Sequence, residues 1–228
     1  MALNDFLEAI APNYAKGLQR GRVEILEHSA DAQVKRVEWT HSDFHHMDHS
    51  MSRDLKPFFE TYAGSPNVFY KDCDGIILFE HDGKKYMFLT ELKSQFDNTQ
   101  LVKAKTQIIA SFIKTNMVLN LASCYHIEDY IVKGFIVSRP PTSEFIRVLH
   151  QGSMLPSGNH LEFATRLFTS DKQKISDQVH KLLMKPTECF CIHGMPLGDR
   201  GIFNEIEMYH IAVPPPDDFI TLDVRDYI

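Results

Sequence analysis

Residues 73–94 read CDGIILFEHDGKKYMFLTELKS, and this segment decides the fold. It belongs to two apolar, β-rich runs, 67–81 and 84–94, which are joined at Asp82-Gly83. Asp-Gly between apolar strands predicts a tight β-hairpin, because both residues tolerate positive φ. The sequence therefore predicts two antiparallel strands at the centre of the chain.

Charged residues stand at the open end of this hairpin. Asp74 opens the first strand, and Glu91 and Lys93 close the second strand on one face, since strand side chains alternate. Antiparallel pairing makes Asp74 and Glu91 neighbours. Two carboxylates suit Mg²⁺, which prefers oxygen ligands, and a lysine beside them can orient or deprotonate an attacking water. This set is suited to metal-dependent hydrolysis of phosphodiesters.

The segment resembles the core of the PD-(D/E)xK, or restriction-endonuclease-like, nuclease superfamily. In that pattern an Asp opens one strand, a Glu-x-Lys ends the next, and a helix follows. Asp74, Glu91 and Lys93 match these positions, whereas Cys73 stands where the family name has Pro. The resemblance implies an α/β fold with an αβββαβ core at about 52–141, a central mixed sheet flanked by helices, and N- and C-terminal additions. Residues 1–228 are expected to form one domain.

The resemblance also implies a function. Asp74 and Glu91 would hold Mg²⁺ or Mn²⁺, and the substrate would be nucleic acid, with DNA favoured, in restriction, repair or defence. Lys103 and Gln107, four apart on the following helix, would contact phosphate or water. Cutting both strands of a duplex favours a homodimer, and a partner subunit of a larger complex is the other arrangement.

Two further acidic residues are alternatives within this interpretation. Asp72 shares a strand face with Asp74 and could replace it as a ligand. Glu60 is a candidate for the glutamate that members of the superfamily often supply from a preceding helix.

The remaining chain predicts further helices and strands. Hydrophobic periodicity and cap residues predict helices at 3–19, 52–62, 97–119, 142–150 and 171–185. They predict strands at 32–39, 129–141, 188–194, 205–213 and 219–224, and either a strand or a helix at 22–28.

Composition narrows the class of protein. Hydrophobic residues make up 43% and charged residues 24%, which is typical of a soluble globular chain. No apolar run is long enough to cross a membrane, and the N-terminal pattern carries Asp5 and Glu8, which a signal peptide would lack. We therefore expect a cytoplasmic protein with reduced cysteines. The net charge of −6 argues against binding nucleic acid through bulk positive charge.

Other segments offer competing sites. In HSDFHHMDHS (41–50), His45 and His49 have the spacing of a helical zinc site, although the segment is polar enough for a solvated loop. Cys189, Cys191 and His193 would share one strand face and are interpreted as core. Nucleotide-binding glycine loops and a Gly-x-Ser-x-Gly elbow are absent. The main alternative to a nuclease is a catalytically inactive nuclease-like scaffold or binding subunit.

Overall fold

The computed structural model describes residue 5 and residues 15–48, 53–55, 70–152, 161–169, 174–176, 178–189 and 197–228. Its strands are β1 (Ala15–Leu26), β2 (Arg36–Asp48), β3 (Gly75–His81), β4 (Lys84–Lys93), β5 (Tyr130–Ser138), β6 (Lys174–Ser176), β7 (Val179–Met184), β8 (Ile206–Ala212) and β9 (Phe219–Asp223). Its helices are α1 (Asn98–Leu119), α2 (Ser143–Gly152) and α3 (Glu162–Thr169).

These strands form one mixed sheet in the order β1-β2-β3-β4-β5-β8-β7-β6, with β9 pairing in parallel with β2. Strands β1 to β4 form an antiparallel meander. Strand β5 then pairs in parallel with β4, and helix α1 makes the connection between them. The expected α/β class with a central mixed sheet is therefore confirmed.

The turn between β3 and β4 sets their register. Asp82 and Gly83 have φ of 49° and 73°, the positive values that a two-residue hairpin of this hand requires. His81 pairs with Lys84 across the turn, and Gly75 pairs with Thr90 at the other end. Asp74 therefore enters β3 beside the last residues of β4.

Both faces of the sheet are buried. Helices α1 and α3 cover one face, where Ile108, Phe112 and Leu167 pack against buried strand residues. On the other face, Trp39 of β2 contacts Phe135 of β5 with ring centroids 4.7 Å apart. Strands β3 and β4 lie between β2 and β5, so in a flat sheet β2 and β5 would be about 14 Å apart. Because their side chains meet, the sheet must curl around this second core.

Several predicted elements differ from those observed. The helix predicted at 3–19 is wrong from Ala15 onward, because β1 begins there and pairs with β2. The helix predicted at 171–185 is wrong over its described part, which forms β6 and β7. Buried residues alternate along β7 because it pairs with β8, and this pairing overrides its helix-favouring composition. Helix α3 was not predicted.

The polar segment at 41–50 is also corrected. Residues 41–48 belong to β2, so they form part of the sheet and are not a solvated loop. The predicted strand at 188–194 and most of the predicted helix at 52–62 lie outside the described residues. In the described part of the chain, no helix is both long enough and apolar enough to span a membrane.

Candidate active site at the end of strand β4

The side chain of Asp74, which precedes β3, contacts the backbone at the end of β4. Its Oδ2 accepts a hydrogen bond from the backbone N–H of Leu92, at 2.7 Å. Leu92 lies between Glu91 and Lys93. Because strand side chains alternate, the side chains of Glu91 and Lys93 lie on one face of β4 and that of Leu92 lies on the other. Asp74 also interacts electrostatically with Glu91 and with Lys93, so the three residues that the sequence pattern singled out are neighbours in the structure.

Glu91 and Lys93 form an ion pair through Glu91 Oε1 and Lys93 Nζ. Glu91 is 1% exposed and Lys93 is 7% exposed. The second carboxylate oxygen, Glu91 Oε2, is buried and has no hydrogen-bond partner among the residues that the structure describes. A buried carboxylate oxygen without a donor is costly. The Asp74 carboxyl group interacts with the Glu91 side chain, so either a proton shared by the two carboxyl groups or a bound cation would stabilise this oxygen.

The electrostatics of the site disfavour two ionised carboxylates. Burial, together with the negative charge of Asp74, raises the pKa of Glu91 well above its usual range. Burial raises the pKa of half-buried Asp74 to about 7, against the lowering effect of the Leu92 hydrogen bond. Two neighbouring carboxyl groups with raised pKa values would be ionised together far more readily beside a cation.

These residues fit a hard divalent cation. Asp74 and Glu91 supply carboxylate oxygens, and Mg²⁺ commonly takes only one or two carboxylates, with water and substrate phosphate as its other ligands. No group of three or more His, Cys, Asp or Glu side chains placed to hold a metal occurs among the described residues. The fit therefore rests on two carboxylates and the unpaired Glu91 oxygen.

Glu27 is a further acidic neighbour that sequence analysis missed. Its negative charge contributes to the raised pKa values of both Asp74 and Glu91. The end of β1 lies close by, since a Cβ added at Gly75 would be 2.6 Å from Ile25 Cδ1. No local pattern could reveal this neighbour, because Glu27 directly follows β1, 47 residues before Asp74.

Helix α1 holds the segment that leads into Asp74. Gln107 Nε2 donates to the carbonyl of Asp72 at 2.6 Å, and Ser111 Oγ accepts from the N–H of Cys73 at 2.8 Å. Lys114, which is fully buried, donates to the carbonyl of Lys71 at 2.8 Å and pairs with the Asp72 carboxylate. Three polar residues along one side of α1 thus fix the approach to the site.

The remaining predicted site residues lie in different environments. Gln107 lies beside the segment at 71–73 that leads into Asp74, and its Oε1 is buried without a partner among the described residues. Lys103 is exposed, one turn earlier on α1. The Asp72 carboxylate is bound by Lys114, which disfavours it as a replacement for Asp74. Glu60 lies outside the described residues.

The structure describes part of each competing site, the His-rich segment at 41–50 and the group of Cys189, Cys191 and His193. His45 lies on β2, so the helical spacing proposed for His45 and His49 does not apply to it, and His49 is outside the described residues. Cys189 is buried in the core, as predicted, with its Sγ 3.5 Å from the carbonyl of Lys185. Cys191 and His193 are not described.

Comparison with known proteins adds no relative, since no protein-family model, curated protein or solved structure matches the chain.

Proposed function

We propose that the protein is a divalent-metal-dependent nuclease that hydrolyses phosphodiester bonds of nucleic acid, with DNA as the favoured substrate. The observation that carries the proposal is the convergence of Asp74 on the Glu91–Lys93 pair at the end of β4. The unpaired Glu91 Oε2 and the raised pKa values of both carboxyl groups favour a cation there.

Topology supports the same proposal. The described order β2-β3-β4-α1-β5 has three antiparallel strands, a helix and a strand parallel to the third. This order agrees with the βββαβ part of the core that the resemblance to restriction-endonuclease-like nucleases predicts. The acidic residues also stand where that resemblance expects them, at the start of the second of these strands and the end of the third.

Each side chain has a role in the proposed reaction. Asp74 and Glu91 would hold Mg²⁺ or Mn²⁺, which when bound polarises the phosphate and lowers the pKa of a bound water. Lys93 would orient the attacking water, remove its proton or stabilise negative charge on the phosphate. Gln107 holds the segment before Asp74, and Lys103 is available on the exposed side of α1 for a phosphate.

A nuclease-like scaffold or binding subunit is the second candidate. The observation that favours it is the near-complete burial of Glu91 and Lys93, because their mutual ion pair could serve only to hold the end of β4. A buried pair of this kind can persist without turnover. The two candidates differ in whether the protein cleaves nucleic acid.

The test is incubation of the purified protein with supercoiled plasmid, linear duplex DNA, single-stranded DNA and RNA in Mn²⁺, with EDTA as the metal-free control. We expect Lys93→Ala, which removes the group proposed to act on the attacking water, and Glu91→Gln, which removes a proposed metal ligand, each to lower the cleavage rate by at least about 100-fold. Lys85→Ala, on the same strand and paired with Asp129, should cleave like the wild type.

Two results would contradict the nuclease proposal. One is the absence of cleavage on every substrate, which would leave the scaffold. The other is equal cleavage by the wild type and Lys93→Ala, which would show that a contaminant or a different site is responsible. If duplex DNA is cut on both strands, light scattering of the protein–DNA complex should show two protein chains per duplex.

A further inference from the structure

Strand β1 forms one edge of the described sheet. Among the strands that the structure describes, only β2 pairs with β1. The side chains of Arg22 and Glu24 on β1 are 67% and 41% exposed. An edge strand presents unpaired backbone N–H and C=O groups, which can pair with a strand of another chain. In the described part of the chain, the outer edge of β1 is therefore open to a further strand.

A backbone hydrogen bond shows which residues of β1 face outward. The N–H of Glu27 donates to the carbonyl of Lys35 at 2.9 Å, so it points toward β2. The carbonyl of Leu26 belongs to the same trans peptide unit and therefore points away from β2. Because these directions alternate along a strand, the N–H and C=O groups of Arg22 and Glu24 point outward, whereas those of Val23 point toward β2.

Gly21 limits the regular part of β1. The register with β2 shifts between Arg20 and Gly21, and Gly21 has a φ of 81°. A bulge of this kind bends a strand and interrupts its pairing. A strand added to β1 would therefore pair regularly with residues 21–26.

The charges on β1 distinguish between registers for such a pairing. Charged side chains on an edge strand usually discourage pairing with another chain, but on β1 their sign changes from Arg22 to Glu24. In an antiparallel pair of two copies centred on Val23, Arg22 of each copy lies directly opposite Glu24 of the other. Side chains in such positions have Cβ atoms about 4.5–5.5 Å apart, and opposite charges there are favourable. Centring the pair on Arg22 or on Glu24 would instead place two like charges opposite each other.

The backbone favours the same register. Arg22 and Glu24 both direct their N–H and C=O groups outward, so each Arg22–Glu24 pair can exchange two hydrogen bonds. A register that placed an outward-facing residue opposite an inward-facing one could not form these bonds. Charge and hydrogen bonding thus select one arrangement, with a two-fold axis at Val23, and two-fold symmetry is the commonest symmetry of oligomers.

We propose that β1 binds a second copy of this chain by antiparallel pairing of residues 21–25, which forms a homodimer with one continuous sheet. The paired segment is much shorter than the roughly 20–30 residues that each side of a standard interface supplies, so the dimer forms reversibly and depends on protein concentration. Glu27 directly follows β1, so the dimer holds two candidate active sites in one assembly. The pairing does not depend on the proposed nuclease activity.

Sedimentation equilibrium of the full chain, in EDTA and without nucleic acid, tests this interface. Protein concentrations up to about 1 mM reveal even a millimolar dissociation constant. We expect the wild type to dimerise, and Arg22→Glu and Glu24→Arg each to weaken the dimer by at least about tenfold, because each places like charges opposite each other at two positions. Arg147→Glu, at an exposed position on α2, changes the net charge as Arg22→Glu does and should dimerise like the wild type.

The double variant Arg22→Glu/Glu24→Arg separates pairing between copies from contacts within one chain. Within the chain, Arg22 pairs with Glu38 and Glu24 pairs with Arg36, each at 3.4 Å. The double variant loses both of these pairs but restores opposite charges between the copies, so it should recover most of the affinity lost in the single variants. The proposal is overturned if the wild type stays monomeric, if correctly folded single variants dimerise as tightly as the wild type, or if the double variant dimerises no better than they do.

Discussion

Glu91 is the residue whose environment most needs a functional explanation. One of its oxygens pairs with Lys93, and the other is buried without a partner in the described part of the chain. A buried carboxylate oxygen without a hydrogen-bond donor is destabilising, and hydrophobic residues in place of a buried ion pair are often neutral or stabilising. Under the proposed function, a cation bound between Glu91 and Asp74 would explain why this buried ion pair is present.

The raised pKa of Asp74 makes a prediction about stability and pH. A carboxyl group with a folded-state pKa of about 7 keeps a proton that the unfolded chain releases, so its contribution to stability falls between about pH 4 and pH 7. We therefore expect Asp74→Asn to gain in melting temperature over the metal-free wild type as pH rises from about 5 to about 8.

Thermal unfolding in EDTA measures this effect, because about 1 kcal/mol shifts the melting temperature by roughly 2–4 °C in a chain of this size. Asp31→Asn, at an exposed position in the loop between β1 and β2, is the control and should show no such trend. A constant difference between Asp74→Asn and the wild type over this range would contradict the raised pKa.

At the residue scale, the sequence predicted the part of the site that depends on strand period and hairpin register. Two-residue spacing placed Glu91 and Lys93 on one face, and the Asp82-Gly83 turn placed Asp74 beside them. Glu27 could not be predicted, because its position depends on how β1 packs against Gly75, a contact between distant parts of the chain.

At the scale of elements, helix α1 links the core to the site. Its apolar residues pack on the sheet, while Gln107, Ser111 and Lys114 bind the segment at 71–73. Burying Gln107 Nε2, Ser111 Oγ and Lys114 Nζ is tolerated because each of these atoms has a partner in that segment, whereas Gln107 Oε1 has none among the described residues. The helix therefore fixes the backbone from which Asp74 extends.

Lys114 should be important for stability. Lys114→Ala leaves the Asp72 carboxylate without the ammonium group that it binds, and removing one partner of a buried pair costs about 3–5 kcal/mol. Lys103→Ala, on the exposed side of the same helix, should change the free energy of unfolding by less than about 0.5 kcal/mol. Urea unfolding measures both, and equal losses in the two variants would contradict this role.

The sequence predicted elements well where local signals agreed with tertiary pairing. The hairpin, α1 and β5 combine clear apolar patterns with turn or cap residues, and Asp97 caps α1 by accepting from the N–H of Gln100. Strand β7 was mistaken for a helix because its residues favour helices, while its pairing with β8 depends on residues far away in sequence.

At the scale of the whole molecule, the curled sheet separates two ends with different chemistry. The carboxyl groups of Asp74 and Glu91 lie at the end of β4, and His41 and His81, whose ring nitrogens are 3.1 Å apart, lie near the β3–β4 turn. The chain carries a net charge of −6, so its overall field repels nucleic acid. Under the proposed function, binding of DNA would therefore depend on local contacts and on a bound cation.

This charge predicts that DNA binding requires a divalent cation. In EDTA no cation joins the site to the phosphate, whereas Ca²⁺, which takes oxygen ligands, would bridge the Asp74 and Glu91 carboxylates and the phosphate. We expect fluorescence anisotropy of a labelled duplex to show at least about tenfold tighter binding in Ca²⁺ than in EDTA, a difference of about 1.4 kcal/mol. Equal affinity in the two buffers would contradict cation-mediated binding.

The most direct test of the central claim is Mn²⁺ binding, measured by calorimetry on wild type, Asp74→Asn and Glu91→Gln. Glu80→Gln, at an exposed position on β3, is the matched control. We predict that the wild type and Glu80→Gln bind Mn²⁺ equally, and that loss of either site carboxylate weakens binding by at least about tenfold. A wild type that binds no Mn²⁺, or a Glu91→Gln variant that binds it unchanged, would contradict the metal site.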